Sequence, residues 1–382
     1  MRAPPYIKKL CETTSPYLSS KEIDSLFVKA INEAITWHRK RNRYFSKLLN
    51  EHNINENSIT SIDECSKLPL IHANFFKTHT LKSVKDKDII LTLTSSGTSG
   101  QKSQMFFDNW SINSARNMID YIFDFYKWNQ PDKEMNYLLY TYETLPDSKL
   151  GTAATDNYLI KFGKAKNIFY ALKLTDIDNV SHEFDVFGTI ETLKAYESEG
   201  LPVRILGFPS FMYFTLKRMA ALKMKPLKLN PYSMTLFGGG WKGYANQQIS
   251  KFELYKMIEY WLGIPEKNCR DGYGSVEHAI PYIECCNHQF HIPIWSRVFI
   301  RDVKTLEPLK FGNPGFLHFV TPYITSVPAI SVLMGDLAIL HPPEKCGCSL
   351  ETPYFEILGR AGTSATKSCA IAASELLERR TP

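Results

Sequence analysis

Long apolar runs and blocks of like charge are both missing from this chain of 382 residues. No stretch approaches about 18 uncharged apolar residues, and the N-terminal segment has no apolar core with a cleavage signal, so we expect neither a membrane span nor a signal peptide. The net charge of +6 is spread along the chain, which argues against a nucleic-acid partner. These absences predict a globular, cytoplasmic protein of one large or two modest domains.

Cysteine is also scarce, with eight residues in the chain. Without an export signal, they are expected to be reduced thiols, metal ligands or a nucleophile rather than disulfides. Internal repeats, low-complexity tracts and flexible linkers are absent as well. The apolar content of 44% is sufficient for a packed core.

Alternating β-rich and helical segments predict an α/β fold, with mixed sheets covered by helices and a small β subdomain. The predicted parts are a helical N-terminal segment (1–87), an α/β core (88–275), the small β subdomain (276–360) and a C-terminal tail (361–382). Within the first part, Ser19 to Glu22 fits a capping box for a helical segment that reaches about Asn50. Within the second, Ser111 is predicted to cap a helix that reaches about Trp128.

The segment Thr94–Ser103 holds six hydroxyl side chains, two glycines and Lys102 directly after a predicted strand. Such a loop can turn backbone N–H groups and hydroxyls toward a polyphosphate, although a solvated hairpin of turn residues has a similar composition. A Walker loop does not fit. Lys102 stands where the second glycine should be, and the strand-like QMFF follows instead of a helix.

This loop resembles the phosphate-binding motif of adenylate-forming enzymes, and later segments follow in that family's order. Gly238-Gly239-Gly240 resembles the glycine turn of the adenine pocket, and DGYGSVE (271–277) resembles the aromatic-Gly-x-Thr-Glu signature. Gly335-Asp336 resembles the ribose-binding Gly-Asp, and Gly359-Arg360 resembles the hinge before the small C-terminal domain.

The resemblance implies the corresponding fold, with ATP and Mg²⁺ as cofactors. It implies that Glu277 holds magnesium, that Asp336 binds the ribose and that Lys102 meets the phosphates, although Lys102 lies one residue nearer Gly100 than the family pattern has it. The remaining residues implied for ATP binding are Ser95, Ser96, Gly97, Thr98, Ser99, Gly100, Gly238, Gly239, Gly240, Asp271, Tyr273, Gly274 and Arg360.

Within this superfamily the chain is similar to the acyl-protein synthetases of the bacterial bioluminescence fatty-acid reductase complex. The similarity is carried by the chain's size, the TSSGTSG loop, GGGWK (238–242), HIPIW (291–295) and the ending GRAGTSATKSCAIAASELL. Only a short tail follows Arg360, so we expect the family's full C-terminal domain to be missing. The resemblance implies that Cys369 accepts the acyl group and passes it to an acyl reductase or another acceptor protein. From the residues alone, a small buried side chain on an apolar helix face is favoured for Cys369 over a nucleophile.

An apolar acid requires a dry pocket, for which Phe208, Phe211, Trp241 and His291 are candidates, with ordinary core packing as the alternative.

A second candidate site is a structural zinc centre. Two later segments of the chain together carry four cysteines and two histidines, which suffice for a tetrahedral ion. This set resembles one in the phenylacetate-CoA ligase branch, and one cysteine of the adjacent pair, one histidine and the Cys-x-Cys are expected to ligate. The alternative is a set of unmetallated thiols on turns. The candidate zinc ligands are Cys285, Cys286, His288, His291, Cys346 and Cys348.

Three functions remain open on the sequence. The first is an ATP-dependent acyl-protein synthetase that acylates itself on Cys369. The second is a ligase whose acceptor is coenzyme A or a carrier-protein thiol. The third is a non-catalytic scaffold that binds nucleotide or acyl chain. Oligomerisation is left open.

Overall fold

The computed structural model describes residues 3–94, 103–143, 157–176 and 181–361, with all side chains in those ranges except that of Lys242. In these ranges the α-helices are α1 (Pro5–Cys11), α2 (Lys21–Arg39), α3 (Arg43–Glu51), α4 (Phe75–Thr78), α5 (Asn109–Phe125), α6 (Val186–Glu199), α7 (Pro209–Ala221) and α8 (Lys251–Leu262). The strands are β1 (Ile71–His72), β2 (Ile89–Thr94), β3 (Gln104–Asp108), β4 (Gln130–Tyr142), β5 (Gly163–Asp176), β6 (Ser181–Phe184), β7 (Val203–Gly207), β8 (Met234–Gly238), β9 (Cys269–Tyr273), β10 (Tyr282–Ile283), β11 (Phe290–His291), β12 (Arg297–Arg301), β13 (Pro314–Val320), β14 (Ser331–His341) and β15 (Tyr354–Arg360).

The chain divides into two compact units, of which unit 1 comprises residues 1–125 and 275–382 and unit 2 comprises residues 126–274. The predicted core segment 88–275 is thus shared between the units, because residues 88–125 belong to unit 1. The division of the chain into the four predicted parts stays a prediction.

Unit 1 is built on a six-stranded sheet in the order β11-β15-β14-β13-β12, with β1 added in parallel to β14. The neighbours along the main path are antiparallel. Two buried indoles join the N-terminal helical region to the later strands and loops. Trp37 of α2 donates to the Thr325 carbonyl at 2.9 Å, and Trp295 donates to the Leu10 carbonyl at 3.1 Å. These contacts explain why helices at the start of the chain belong to the same unit as the last strands.

Unit 2 contains a mostly parallel sheet in the order β9-β8-β7-β4-β5-β6, in which only β6 runs antiparallel to its neighbour β5. Apolar side chains of α6, α7 and α8 form one buried cluster with the central strands. Strands of this kind are nearly continuous apolar runs because helices cover the sheet. Segments such as Tyr137–Tyr140 of β4 are accordingly buried without alternation.

The strands predicted on either side of the hydroxyl-rich loop are confirmed as β2 and β3. The start of the first long helix is corrected. Ser20, and not Ser19, is the N-cap, since its hydroxyl accepts the amide of Ile23. The single helical segment to Asn50 is wrong, because the chain breaks after Arg39 and Asn42 caps a new helix by accepting the amide of Phe45 at 2.8 Å.

The predicted role of Ser111 as a helix cap is also wrong. The amide of Ser111 donates to the carboxylate of Asp108 at 2.8 Å, so Asp108 caps α5, and the helix ends at Phe125 rather than at Trp128. The Ser111 hydroxyl instead contacts Thr325 and is completely buried. A side chain that is needed between packed elements is unavailable for capping its own helix.

No helix in the described part of the chain is long and apolar enough to cross a bilayer. All seven cysteines within the described ranges are unbridged. Cys11, Cys65 and Cys269 are buried, and burial raises the pKa of Cys65 and of Cys269 to about 12. Such thiols stay protonated at neutral pH and are poor nucleophiles.

Candidate nucleotide and metal sites

The glycine turn of unit 2 follows β8 at the edge of the parallel sheet. Gly238 faces Gly272 of β9, and a Cβ added to Gly238 would lie 3.5 Å from the Gly272 carbonyl oxygen. Gly239 and Gly240 adopt φ values of 73° and 68°, which side chains rarely tolerate. The turn therefore requires glycine for its conformation, and it leaves this part of the backbone open to a ligand.

Four parallel strands of unit 2, β4, β7, β8 and β9, end at the same edge of the sheet. Ligands of open α/β sheets bind at this carboxyl edge. Tyr273 ends β9 there, and Gly274 follows it directly. Asp271 accepts the Gly272 amide at 2.9 Å, which fixes the strand end. Unit 2 thus brings together the predicted adenine-pocket residues of the glycine turn and of β9.

Aromatic side chains cluster at the start of α7 and after the glycine turn. Phe208 and Phe211 are buried with ring centroids 6.2 Å apart and belong to the main core of unit 2. The ring centroids of Trp241 and Tyr213 lie 5.3 Å apart, and those of Tyr244 and Phe211 lie 5.9 Å apart. The cluster packs like a core, and a role of these side chains in an acyl pocket stays a prediction.

In unit 1, Asp336 lies in an irregular part of β14. Phe316 pairs with Leu337 and His318 pairs with Leu333, so the intervening β14 segment is longer than its β13 partner by two residues. A bulge of this kind releases side chains from the regular ladder and re-aims them. Asp336 is released in this way at the position where the sequence predicts the ribose carboxylate.

Arg360 meets Asp336 from the neighbouring strand. The two residues are register partners, and Arg360 Nε lies 3.9 Å from Asp336 Oδ1. Leu337 pairs with Gly359 while Ala338 pairs with Ile357, so Leu358 is an extra residue that bends the end of β15. Two irregular strand segments therefore converge on this ion pair.

Glu277 is presented by a tight turn in which the Ala279 amide donates to the Ser275 carbonyl at 2.7 Å. The side chain is 6% exposed, and burial raises the pKa of Glu277. The Ser103 hydroxyl and the charges of Arg360 and Lys77 act in the opposite direction and lower this pKa. A buried carboxylate with a hydroxyl beside it offers the oxygen ligands that Mg²⁺ prefers.

His278 anchors this turn and was missed by the sequence reasoning. Its Nε2 lies 2.9 Å from the Tyr282 hydroxyl and 3.1 Å from the Ser296 hydroxyl, and its ring stacks on Phe319 with centroids 4.3 Å apart. Burial lowers the pKa of His278 to about 3, so the imidazole is neutral. In the sequence, only its position next to Glu277 indicated a role for His278, because its hydrogen-bonding and stacking partners lie on other elements.

A second cluster of unit 1 has the chemistry of a metal centre. The ligand atoms of Cys285, His291, Cys346 and Cys348 all lie within 4.8 Å of one another. The Cys285 and Cys346 sulfurs are 3.5 Å apart, and the Cys348 sulfur lies 3.2 Å from His291 Nε2. Tetrahedral zinc with bonds of about 2.3 Å separates two sulfurs by roughly 3.8 Å, so this arrangement is close to the size that zinc requires.

The surroundings of the cluster orient its ligands. His291 Nδ1 lies 2.6 Å from the Thr352 carbonyl, which directs Nε2 toward the thiols. The amides of Asn287 and Leu350 each point at a thiol two residues before them, at 3.4 Å from the Cys285 and Cys348 sulfurs. The two remaining sequence candidates lie apart from the four: Cys286 is exposed, and His288 contacts the buried carboxylate of Glu284 at 3.3 Å.

Several predicted site residues lie outside the described residues. They are Ser95, Ser96, Gly97, Thr98, Ser99, Gly100, Lys102 and Cys369. Their predicted roles in phosphate binding and acyl transfer stay predictions. Of the predicted acyl-pocket residues, His291 lies in the four-ligand cluster of unit 1, whereas Phe208, Phe211 and Trp241 belong to unit 2.

The fold is that of the adenylate-forming ligases. Two crystal structures of 2-hydroxyisobutyryl-CoA ligase with 2-HIB-AMP match it. An open conformation, which also contains CoA, has a TM-score of 0.65 and 14% identity over 96% of this chain and 81% of the ligase chain. A structure in the postadenylation state gives the same TM-score and identity over 94% of this chain and 72% of the ligase chain.

The sequence profile described as "Acyl-protein synthetase, LuxE" matches residues 5–378, and the chain belongs to this family of ligases. Two relatives are each named long-chain-fatty-acid--luciferin-component ligase. The protein of Aliivibrio fischeri is 25% identical over 92% of this chain and 88% of its own length. The protein of Vibrio harveyi is 23% identical over 94% of this chain and 89% of its own length.

The glycine turn gives a test by substitution. Gly240→Ala should lower the free energy of unfolding by about 1 kcal/mol, because its φ of 68° disfavours a Cβ although no atom lies within 4 Å of the added carbon. Gly243→Ala is the matched control, since its added Cβ also meets open space and its φ lies outside the disfavoured range. Urea unfolding followed by circular dichroism measures both. Equal stability of the two variants would contradict the conformational requirement.

Proposed function

We propose that the chain is a cytoplasmic, ATP-dependent acyl-protein synthetase. It activates a fatty carboxylic acid as acyl-AMP, moves the acyl group to Cys369 as a thioester and passes it to an acyl reductase or another acceptor protein. The observation that carries the proposal is the convergence of Asp336 and Arg360 at facing positions of β14 and β15, with their separation of 3.9 Å. Membership of the acyl-protein synthetase family supports the same reaction.

The first step joins two anions and depends on charge compensation. A carboxylate oxygen of the acid forms a bond to the α-phosphorus of ATP, and the bond from that phosphorus to the β-phosphate oxygen breaks, which releases pyrophosphate. Asp336 accepts the ribose hydroxyls, and Tyr273 with Gly238–Gly240 receives the adenine. Lys102 and the hydroxyl-rich loop bind phosphate oxygens. Glu277 is the residue that would hold Mg²⁺, which when bound stabilises the charge of the phosphates.

The second step requires a reactive thiol. The Cys369 thiolate attacks the acyl carbon of the adenylate, the carbon–sulfur bond forms, AMP leaves, and the thiol proton passes to water or a neighbouring base. Three described thiols are unsuitable because burial raises the pKa of Cys11, Cys65 and Cys269 far above neutrality. These properties support a nucleophile elsewhere in the chain, and we assign that role to Cys369.

Intact-protein mass spectrometry tests the acyl transfer. The wild type incubated with MgATP and a panel of fatty acids should gain one acyl mass that hydroxylamine removes, because hydroxylamine cleaves thioesters. Cys369→Ser should lose this adduct or carry it as a hydroxylamine-resistant ester.

Cys286→Ser is the control for this experiment, since Cys286 is the exposed thiol among the described cysteines. It should acylate like the wild type. An adduct that survives in Cys369→Ser and vanishes in Cys286→Ser would move the nucleophile to Cys286. Pyrophosphate release that rises with added coenzyme A, with no protein adduct, would replace self-acylation by an external thiol acceptor.

The ribose role of Asp336 is tested by substitution. Asp336→Ala should weaken ATP binding by about 2–3 kcal/mol, because two charge-assisted hydrogen bonds are lost. The control is the ligand 2′,3′-dideoxy-ATP, which lacks both hydroxyls. Isothermal titration should find this ligand weak with the wild type and no weaker with the variant. Fully additive losses from the substitution and the missing hydroxyls would show that Asp336 does not contact the ribose.

We also propose that Cys285, His291, Cys346 and Cys348 hold a structural Zn²⁺. Three sulfurs and one imidazole are a typical donor set for a closed tetrahedral zinc site. The backbone around them supports this assignment, since Gly347 takes a φ of 72° that lets Cys346 and Cys348 point to one centre. Through Cys346 and Cys348 the metal would hold the segment before β15 to the strand β11.

Metal analysis tests this centre. Gently purified wild type should contain about one equivalent of zinc, and Cys285→Ser should lose most of it and melt at a lower temperature. The adjacent Cys286→Ser is the matched control and should retain both zinc content and melting temperature, since Cys286 lies outside the cluster. Less than about a tenth of an equivalent in the wild type would remove the proposal.

A further inference from the structure

Two strands of unit 1 end at the same gap on one edge of β14. β13 covers the opposite edge, pairing both before and after the bulge. On the free edge, β1 runs parallel to β14 and pairs Ile71 with Val332 and His72 with Leu333. β15 runs antiparallel and pairs from His341 down to Asp336. Because they approach from opposite directions, the ends of β1 and β15 both point at residues 334–336.

Apolar packing holds these two strand ends together. Leu70, directly before β1, packs in one cluster with Leu358 and Ala361, which flank the end of β15. The Ala73 amide donates to the Leu333 carbonyl at 2.9 Å, and the Ala361 amide donates to the Gly335 carbonyl at 2.8 Å. The β14 backbone just before Asp336 is therefore held by hydrogen bonds from the segments that leave β1 and β15.

The helix α4 begins three residues after β1 and carries Lys77. It lies against β1 and β3, and Ser103, which directly precedes β3, lowers the pKa of Glu277. The positive charge of Lys77 acts on Glu277 together with that of Arg360. Lys77 itself is half-buried.

We infer that Lys77 is a further residue of the nucleotide site, whose ammonium group binds the polyphosphate of ATP beside Glu277, Asp336 and Arg360. The inference rests on the proposed function. Two carboxylates and one guanidinium leave this side of the site without excess positive charge, whereas a polyphosphate and an attacking carboxylate both bring negative charge. An additional ammonium group would correct this balance, and α4 carries one directly after β1, which ends beside Leu333 of β14.

Lys77 could instead serve only as a counter-ion of Glu277. The two roles differ in what they do to ligands. A counter-ion stabilises the turn and affects every part of the nucleotide alike, whereas a phosphate ligand affects polyphosphate affinity and leaves the nucleoside unaffected. The test therefore compares ligands as well as variants.

Isothermal titration and competition should measure the affinities of ATP, inorganic tripolyphosphate and adenosine for the full chain. Lys77→Met should weaken ATP and tripolyphosphate roughly ten- to hundred-fold, as expected for one charge-assisted contact, and leave adenosine unchanged. Lys77→Arg should restore most of the affinity. Lys85→Met is the matched control, because Lys85 is exposed on the following loop, and it should bind like the wild type.

An ATP affinity within about twofold of the wild type in Lys77→Met, or an equal loss for ATP and adenosine, would overturn the inference. Lys77→Gln provides the same comparison if the Met variant does not fold. If the wild type binds ATP and Lys77→Met binds it equally well, the inference about Lys77 is wrong and the proposed function is unaffected. A wild type that binds no ATP defeats the proposed function, and this inference with it.

Discussion

The change of pairing partner along β14 is the constraint on which unit 1 depends. One edge of this strand is paired with β13 throughout, whereas the other edge passes from β1 to β15. Continuous ladders on both edges would pair every backbone N–H and C=O group of β14. They would also place the Asp336 side chain in regular alternation with its neighbours on the two faces of the sheet. The interruption, together with the two bulges, leaves Asp336 at a gap between strand ends. Strand ends carry the chain away from the sheet, so they can deliver side chains from distant sequence positions to one place.

Burial acts on both Glu277 and His278 of unit 1, and the partners of each side chain set what it can do. His278 is neutral because burial lowers its pKa to about 3, and it serves to stack and to hydrogen-bond. Glu277 is also buried, but Ser103, Arg360 and Lys77 act to lower its pKa and so favour its charged form. The same reasoning applies to the thiols. Cys65 is held as a protonated core residue, whereas the four-ligand cluster gathers thiols where a metal ion could stabilise their charge.

Local signals in the sequence were sufficient for most elements and for the site residues that form contiguous motifs. The strand before Gly238 and the helix from Pro209 are visible because apolar runs, proline and glycine act through neighbouring residues. The helix caps show the limit of such signals. Ser19 and Ser111 had the right chemistry for capping, but Ser20 and Asp108 make the hydrogen bonds, because packing of the helices fixed where each one starts.

The sequence by itself determined the class of fold, the order of the nucleotide motifs and the composition of the candidate metal centre, since each depends on residue types at short spacing. The tertiary structure decided which of them meet. It selected Cys285 and His291 over Cys286 and His288, because the turn after β10 and the pairing of β11 with β15 orient only the first two toward Cys346 and Cys348. It also placed β1, and α4 directly after it, beside β14, because the parallel pairing of Ile71 and His72 with Val332 and Leu333 joins segments that lie far apart in the chain.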